Sequence, residues 1–152
     1  MVHALRDIWR VVVEHGMLVD VRPLSSRCPL EAVCGERVVH LGEVDGTGML
    51  ADDVAADEAM RKSVDHGWFV PRRSITFDFT FYWDSVAEMA SMLDVRRRTK
   101  QVVPSYADLE RTHHELRARH GGVVRLRCRT PTLLAVYERA ISTRTQHTGR
   151  FV

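Results

Sequence analysis

Four polar or aromatic side chains lie at the ends of two predicted strands and could border a binding site. They are Arg22 at the end of one strand and Tyr82, Trp83 and Asp84 at the end of another. Ligand sites in open α/β sheets collect at strand ends, so these residues form a candidate substrate pocket. A structural alternative stays open, in which Trp83 belongs to the core and Asp84 caps the following helix.

Histidine and cysteine spacing does not predict a metal centre. His113 and His114 are adjacent, so their side chains diverge on a predicted helix. No cysteine or carboxylate is spaced to complete a metal-ligand set with them and His120. We interpret these histidines as solvated. Cys28 and Cys34 flank a turn without a second pair, and no base is recognisable beside either thiol. The sequence therefore predicts no catalytic and no metal-binding residue.

Two arginine clusters could bind phosphate or nucleic acid. One is the run 96–98, and the other alternates along a predicted strand at Arg125, Arg127 and Arg129. No aromatic residues interleave with them, and the formal net charge of the chain is only +2. We favour a solvated sheet face with salt bridges and do not expect a nucleic-acid partner.

Length and composition are typical of one soluble domain. The chain has 152 residues, of which 45% are hydrophobic and 28% charged. It carries no apolar run of membrane-spanning length and no signal-peptide pattern. Three cysteines without paired spacing favour a reducing compartment. We expect a cytoplasmic protein that does not contact a membrane.

Hydrophobic periodicity predicts the elements that would position these residues. Helices are predicted at 3–15, at 51–66, after Asp84 and Ser85, and from Ser105 to Gly121. Strands are predicted at 17–22, 68–83 and 123–140, with a hairpin at 30–44.

Two strands carry finer predictions. The segment 75–83 alternates strictly, which predicts one buried apolar face formed by Ile75, Phe77, Phe79, Phe81 and Trp83. In the last strand, Pro131 predicts a bulge or bend because proline has no amide hydrogen for a neighbouring strand.

Three segments together resemble the C-terminal half of a class I S-adenosylmethionine-dependent methyltransferase. ALRDIWRVVVEHGMLVDVRP resembles the helix and fifth strand, although VEHG stands where Pro-Gly-Gly is usual. ITFDFTFYWDSVAEM resembles the sixth strand and its helix, and LLAVYERA resembles the seventh strand. The implied fold is α/β: a partial Rossmann-like sheet with helices and an inserted hairpin, in one half domain over 1–140 with a flexible tail at 141–152.

The resemblance also implies what is missing. In that family the cofactor sits against the first half of the sheet, on a glycine-rich loop and an acidic residue that both precede the likeness found here. GEVDGTG at 42–48 has glycines spaced somewhat like those of such a loop, but we interpret it as an ordinary glycine-rich turn. No cofactor-binding residue is predicted, and S-adenosylmethionine would bind only if a partner chain completed the sheet.

The implied strand order predicts an open edge. The family's seventh strand is antiparallel and lies between the fifth and sixth, so 123–137 should pair with both 17–22 and 75–83. The outer edge of 17–22 would then be exposed unless the hairpin, a second copy or another chain covers it. We expect a half domain without independent activity that acts as an oligomer, such as a dimer, or with a partner. The alternatives are the C-terminal part of a split methyltransferase and a small ligand-binding module.

Overall fold

A computed structural model describes residues 2–94 and 101–141. Within these residues the chain forms an α/β fold with four helices and one open sheet of six strands, all paired antiparallel. The helices are α1 Val2–Val11, α2 Leu50–Asp65, α3 Val86–Asp94 and α4 Tyr106–His120. The strands are β1 Met17–Pro23, β2 Arg27–Cys34, β3 Arg37–Asp45, β4 Phe69–Trp83, β5 Gln101–Val103 and β6 Val124–Arg139.

The predicted helices are present, and three of their ends follow the expected capping chemistry. The Ser85 hydroxyl accepts a hydrogen bond from the Glu88 amide, while the Glu88 carboxylate accepts one from the Asp84 amide. Ser105 caps α4 by accepting from the Asp108 amide, and Gly121 ends that helix in the left-handed conformation.

The first helix is shorter than predicted, and two elements were not predicted. α1 ends at Val11, and His15 adopts a positive φ of 61° in the turn before β1. The short strand β5 and a single 3₁₀ turn at Thr47–Met49 have too few residues to show a periodic pattern.

β6 is the central strand of the sheet. It pairs with β4 along almost its whole length on one side, and with β1 and then β2 on the other. The predicted pairing of 123–137 with both 17–22 and 75–83 is therefore confirmed. β1 and β4 are each antiparallel to β6, so they run parallel to each other.

The hairpin is not inserted beside the sheet but extends it. β2 and β3 form the predicted hairpin, with Gly35 at a φ of 63° in the turn. β2 then continues along β6 beyond the end of β1, and β5 adds to the outer side of β3. Within the described residues β1 forms a ladder with β6 alone, so the hairpin does not cover its outer edge.

The bulge predicted at Pro131 is absent, since the ladder between β4 and β6 passes through this residue without a register shift there. Pro131 lies where β6 passes from β1 to β2, and its carbonyl accepts from the Leu24 amide. In an antiparallel strand the N–H and C=O groups of one residue point to the same side. The nitrogen of Pro131 therefore faces the loop after β1, as its carbonyl does, and its missing hydrogen removes no hydrogen bond from the ladder with β4.

Helices cover opposite faces at opposite ends of the sheet. Near β2 the core is formed by the sheet and the helices α3 and α4, with Leu30, Met89, Leu109 and Leu126 almost fully buried. Near β1 the other face packs on α1 and α2 through Leu5, Ala59 and Met60. Each face is thus covered over only part of its length.

The prediction of one buried face along β4 is therefore only half right. Trp83 is 4% exposed under α3, but Ile75, Phe77 and Phe79 on the same face are 39%, 38% and 48% exposed. The arginines at 96–98 and almost all of the predicted tail lie outside the described residues. None of the described helices is long and apolar enough to span a membrane.

Candidate functional site

Arg22 holds β1 to helix α2. Its guanidinium donates to the Asp53 carbonyl at 3.1 Å and to the Asp57 carboxylate, and it lies 3.2 Å from the Asp20 carboxylate. Burial opposes its charge, but the hydrogen bond to Asp57 and the nearby carboxylates outweigh this and hold the pKa of Arg22 above its ordinary value. The side chain is thus engaged within the fold, on the helix-covered face of β1.

Tyr82 and Asp84 are both exposed and both meet Arg125. The Arg125 guanidinium donates to the Asp84 carboxylate at 2.8 Å, and its carbon lies 5.0 Å from the centre of the Tyr82 ring. This is a small cation–π and ion-pair cluster on the solvent side of the sheet.

Trp83 belongs to the core. Its ring stacks on Phe81 with centroids 5.9 Å apart, and its indole N–H donates to the Met92 sulfur at 3.4 Å. A small apolar cavity of about 70 Å³ lies beside it, lined also by Pro23, Phe81 and Leu93. The structural interpretation of Trp83 is the one that the structure supports.

The four predicted pocket residues do not meet in one site. Arg22 lies opposite Leu133, whereas Tyr82 lies opposite Arg127, six residues further along β6. At a rise near 3.3 Å per residue these rows are about 20 Å apart. Trp83 also projects to the opposite face of the sheet from Arg22 and Tyr82, because successive strand residues alternate.

The arginines of β6 form the predicted solvated, salt-bridged face. Glu31 on β2 accepts from Arg127 at 2.9 Å and from Arg129 at 3.2 Å. The hydrogen bond to Glu31 is the main reason that the pKa of Arg127 lies above its ordinary value. Positive charge on this face is therefore matched by carboxylates of neighbouring strands.

One histidine was predicted wrongly. His113 is buried, with 6% exposure, and its Nε2–H donates to the Val124 carbonyl at 2.9 Å. It links α4 to the first residue of β6 rather than facing solvent, whereas His114 and His120 are exposed as predicted. Among the described residues no three histidine, cysteine or acidic side chains cluster as metal ligands.

In the glycine-rich segment 42–48, the space beside Gly42 is filled by β5 of the same chain. A Cβ on Gly42 would lie 1.9 Å from the Val103 carbonyl, so glycine is what lets β5 approach β3 here. In the turn that follows, the Asp45 carboxylate accepts from both the amide and the hydroxyl of Thr47. The segment thus forms a local turn in the described fold.

The most unusual feature of the described surface is an exposed apolar area that sequence reasoning placed in the core. We call it the open patch, and it comprises Met17, Val19, Val21, Ile75, Phe77 and Phe79. These residues lie on the face of β1 and β4 opposite to α1 and α2. On β6, Val136 lies opposite Val19, and Leu134 lies opposite Val21 and Ile75. The β6 residues opposite Met17, Phe77 and Phe79 are polar: Glu138, Thr132 and Thr130. The alternation that predicts an apolar face does not predict that the described helices leave this part of it uncovered.

The patch is larger than the scattered apolar side chains of a typical surface. An aromatic side chain has about 150–250 Å² of surface, and these six residues are 38% to 58% exposed, so together they present at most on the order of 600 Å². This area lies at the upper end of the range of about 300–600 Å² found for the largest apolar patch of a single chain, and patches of that size often have a function.

No protein-family model matches this chain, and no curated protein or solved structure matches it either.

Proposed function

We propose that this chain is a methyltransferase-like half domain that has no independent catalytic activity and acts as an oligomer or with a partner chain. The observation that carries the proposal is the position of β6, antiparallel between two strands that run parallel to each other, with the outer edge of β1 unpaired in the described residues. This is the order implied by the resemblance to the fifth, seventh and sixth strands of the methyltransferase sheet.

The engagement of the polar candidates supports the same proposal. Arg22, Asp84 and Arg127 each have a charged partner within the fold, and Trp83 is in the core. A reacting group needs a site where substrate can approach it. Arg22 instead ties β1 to α2 and Trp83 packs in the core, while Tyr82 and Asp84 stay exposed beside Arg125.

A split methyltransferase is the second candidate, favoured by the free edge of β1. A fourth strand from another polypeptide could pair there, and that polypeptide would bring the glycine-rich loop for S-adenosylmethionine. In either case the reducing compartment inferred from the cysteines makes a cytoplasmic location the expectation.

Calorimetric titration of the whole chain with S-adenosylmethionine tests the proposal. We expect no heat of binding at cofactor concentrations up to about 100 μM, whereas micromolar binding by the chain alone would overturn it. A fusion in which the first four strands of a class I methyltransferase precede residue 2 tests the strand order. Cofactor binding by the fusion, lost on Val19→Pro, would support it, because proline breaks the β1 ladder.

A further inference from the structure

We propose that the open patch is a self-association surface, through which two copies of this chain pack sheet against sheet. This deepens the proposed function, because it identifies a second copy as the partner of the half domain.

The area fits a dimer. A stable interface of standard size buries about 800 Å² on each partner, with an apolar centre and a polar rim. The patch supplies at most on the order of 600 Å² of such a centre by the estimate above. Half-buried Leu134 and Val136 between its two strands and polar neighbours such as Arg73 supply the remainder.

The chemistry of the patch suits a copy of itself. Its six side chains are aliphatic, aromatic or thioether, so none of them requires a complementary charge or hydrogen-bonding group on the partner. A twofold interface brings each side chain against the same surface of the other copy. An apolar patch is self-complementary under that operation, whereas a charged one would repel itself.

The geometry favours face-to-face packing over pairing of the two β1 edges. Two copies joined edge to edge by antiparallel strands would carry their patches on the same side of one larger sheet, and both would stay exposed. Stacking the two sheets about 10 Å apart, as in a β-sandwich, buries both patches at once.

By its composition, the segment 142–152 is less suited than a second copy of the chain to cover the open patch. It reads STRTQHTGRFV, with Phe151 and Val152 as its large apolar residues. Two such side chains could cover only part of six. Its removal is nevertheless one arm of the test.

Analytical ultracentrifugation of the full chain from about 1 to 100 μM tests the proposal. The expected result is a concentration-dependent species of twice 17.4 kDa. The double variant Val19→Glu/Val21→Glu should weaken the association at least about tenfold, since each charge is buried twice in a twofold interface.

Val38→Glu is the matched control. Val38 is 47% exposed, close to the 53% of Val19, but it lies on β3 and projects from the other face of the sheet, so this variant should associate like the wild type. Phe79→Gln on β4 is a second variant that leaves β1 untouched. Circular dichroism and thermal unfolding establish that each variant is folded.

Three results would overturn the proposal. The first is a wild-type chain that stays monomeric at every concentration, which would point to a separate partner chain. The second is association that survives both patch variants, and the third is a monomer that dimerises only after deletion of 142–152. Cofactor binding is read out separately, so a dimer that binds S-adenosylmethionine would reject the proposed function and keep this inference.

Discussion

Both ends of β6 present apolar residues on the same face of the sheet, but described helices cover that face only at the end near β2. Leu126, near β2, is fully buried under α3 and α4, whereas Leu134, near β1, lies on the same face beside the exposed Val21 and Ile75. One strand thus carries a covered half and an open half. Apolar alternation tells which face a strand would bury, but burial also requires another element long enough to reach it.

The difference arises from helix placement. α3 begins directly after β4 and α4 follows β5, and both pack on the β2 end of the sheet, while α1 and α2 pack on the opposite face near β1. No described element remains for the open patch. The comparison therefore predicts unequal costs for similar truncations in the two halves.

The largest difference is expected between Leu126→Ala and Val21→Ala. Leu126 is 0% exposed, so its truncation should lower the free energy of unfolding by about 2–5 kcal/mol. Val21 is 58% exposed, and its truncation should cost less than about 1 kcal/mol in the monomer. Urea unfolding at low micromolar concentration measures both losses. Equal losses would show that the open half is covered under those conditions.

The costs of Leu126→Ala and Val21→Ala should also respond differently when the protein concentration is raised. If two copies stack, the cost of Val21→Ala should grow with concentration, because association adds to the stability of the folded state. The cost of Leu126→Ala should not, because that side chain is already buried within one chain.

A smaller contrast is expected between His113→Ala and His114→Ala. The first removes the hydrogen bond between α4 and the Val124 carbonyl in the covered half and should cost about 1–3 kcal/mol. The second removes an exposed side chain and should stay within about 0.5 kcal/mol. Thermal unfolding of the two variants distinguishes them. A silent His113→Ala would contradict its assigned place in the core.

Next in size is the contrast between two carboxylates, Glu31 and Asp84, that pair with arginines of β6 on its solvent side. Glu31→Ala leaves Arg127 and Arg129 without their carboxylate and should cost about 1–2 kcal/mol, since Glu31 is only 9% exposed. Asp84→Ala breaks the exposed pair with Arg125 and should cost about 0–1 kcal/mol. Unfolding with and without 1 M NaCl separates them, because salt should reduce the second cost more than the first. A larger loss for Asp84→Ala would refute the ranking.

Much of the fold could be predicted from local sequence because its signals are local. Ser85 with Glu88, Ser105, and Gly121 mark helix ends through bonds within four residues. Two of the three neighbours of β6, β1 and β4, were predicted from the resemblance and the ladders confirm them, whereas the pairing of β2 with β6 was not predicted. The relation to a methyltransferase remains a prediction.

The site and the bare surface could not be predicted because they depend on long-range placement. Arg22 and Tyr82 both end strands, but β1 and β4 end about 20 Å apart along β6. In the sequence His113 is one of two adjacent histidines on a helix, and its burial follows only from the packing of the first residue of β6 beside it. Phe77 and Trp83 carry the same pattern, and only the position of α3 distinguishes their exposure.

The smallest effect is expected from acid, and it should act on the open half first. Glu138, at the end of β6, accepts from His15 at 2.6 Å and from Arg72 at 2.6 Å, and thereby ties β6 to the turn before β1 and to β4. These bonds hold the pKa of Glu138 below its ordinary value. Because the pKa of Glu138 is lower in the folded than in the unfolded state, its ionised carboxylate stabilises the fold at pH values above the unfolded-state pKa. This stabilisation is lost as the pH falls through the folded-state pKa.

Amide hydrogen exchange, corrected for the intrinsic rate at each pH, measures the acid effect by region. Protection in β1 and the first residues of β4 should fall below about pH 4.5 before protection near Leu126 does, and Glu138→Gln should remove this early loss. Glu58→Gln is the control, because Arg61 and Lys62 lower the pKa of Glu58 to about 2 on the exposed side of α2. A uniform loss of protection would mean that Glu138 does not act on the open half in particular. Early loss confined to β1 and β4 would show that polar bonds at the strand ends stabilise this half where helices do not cover it.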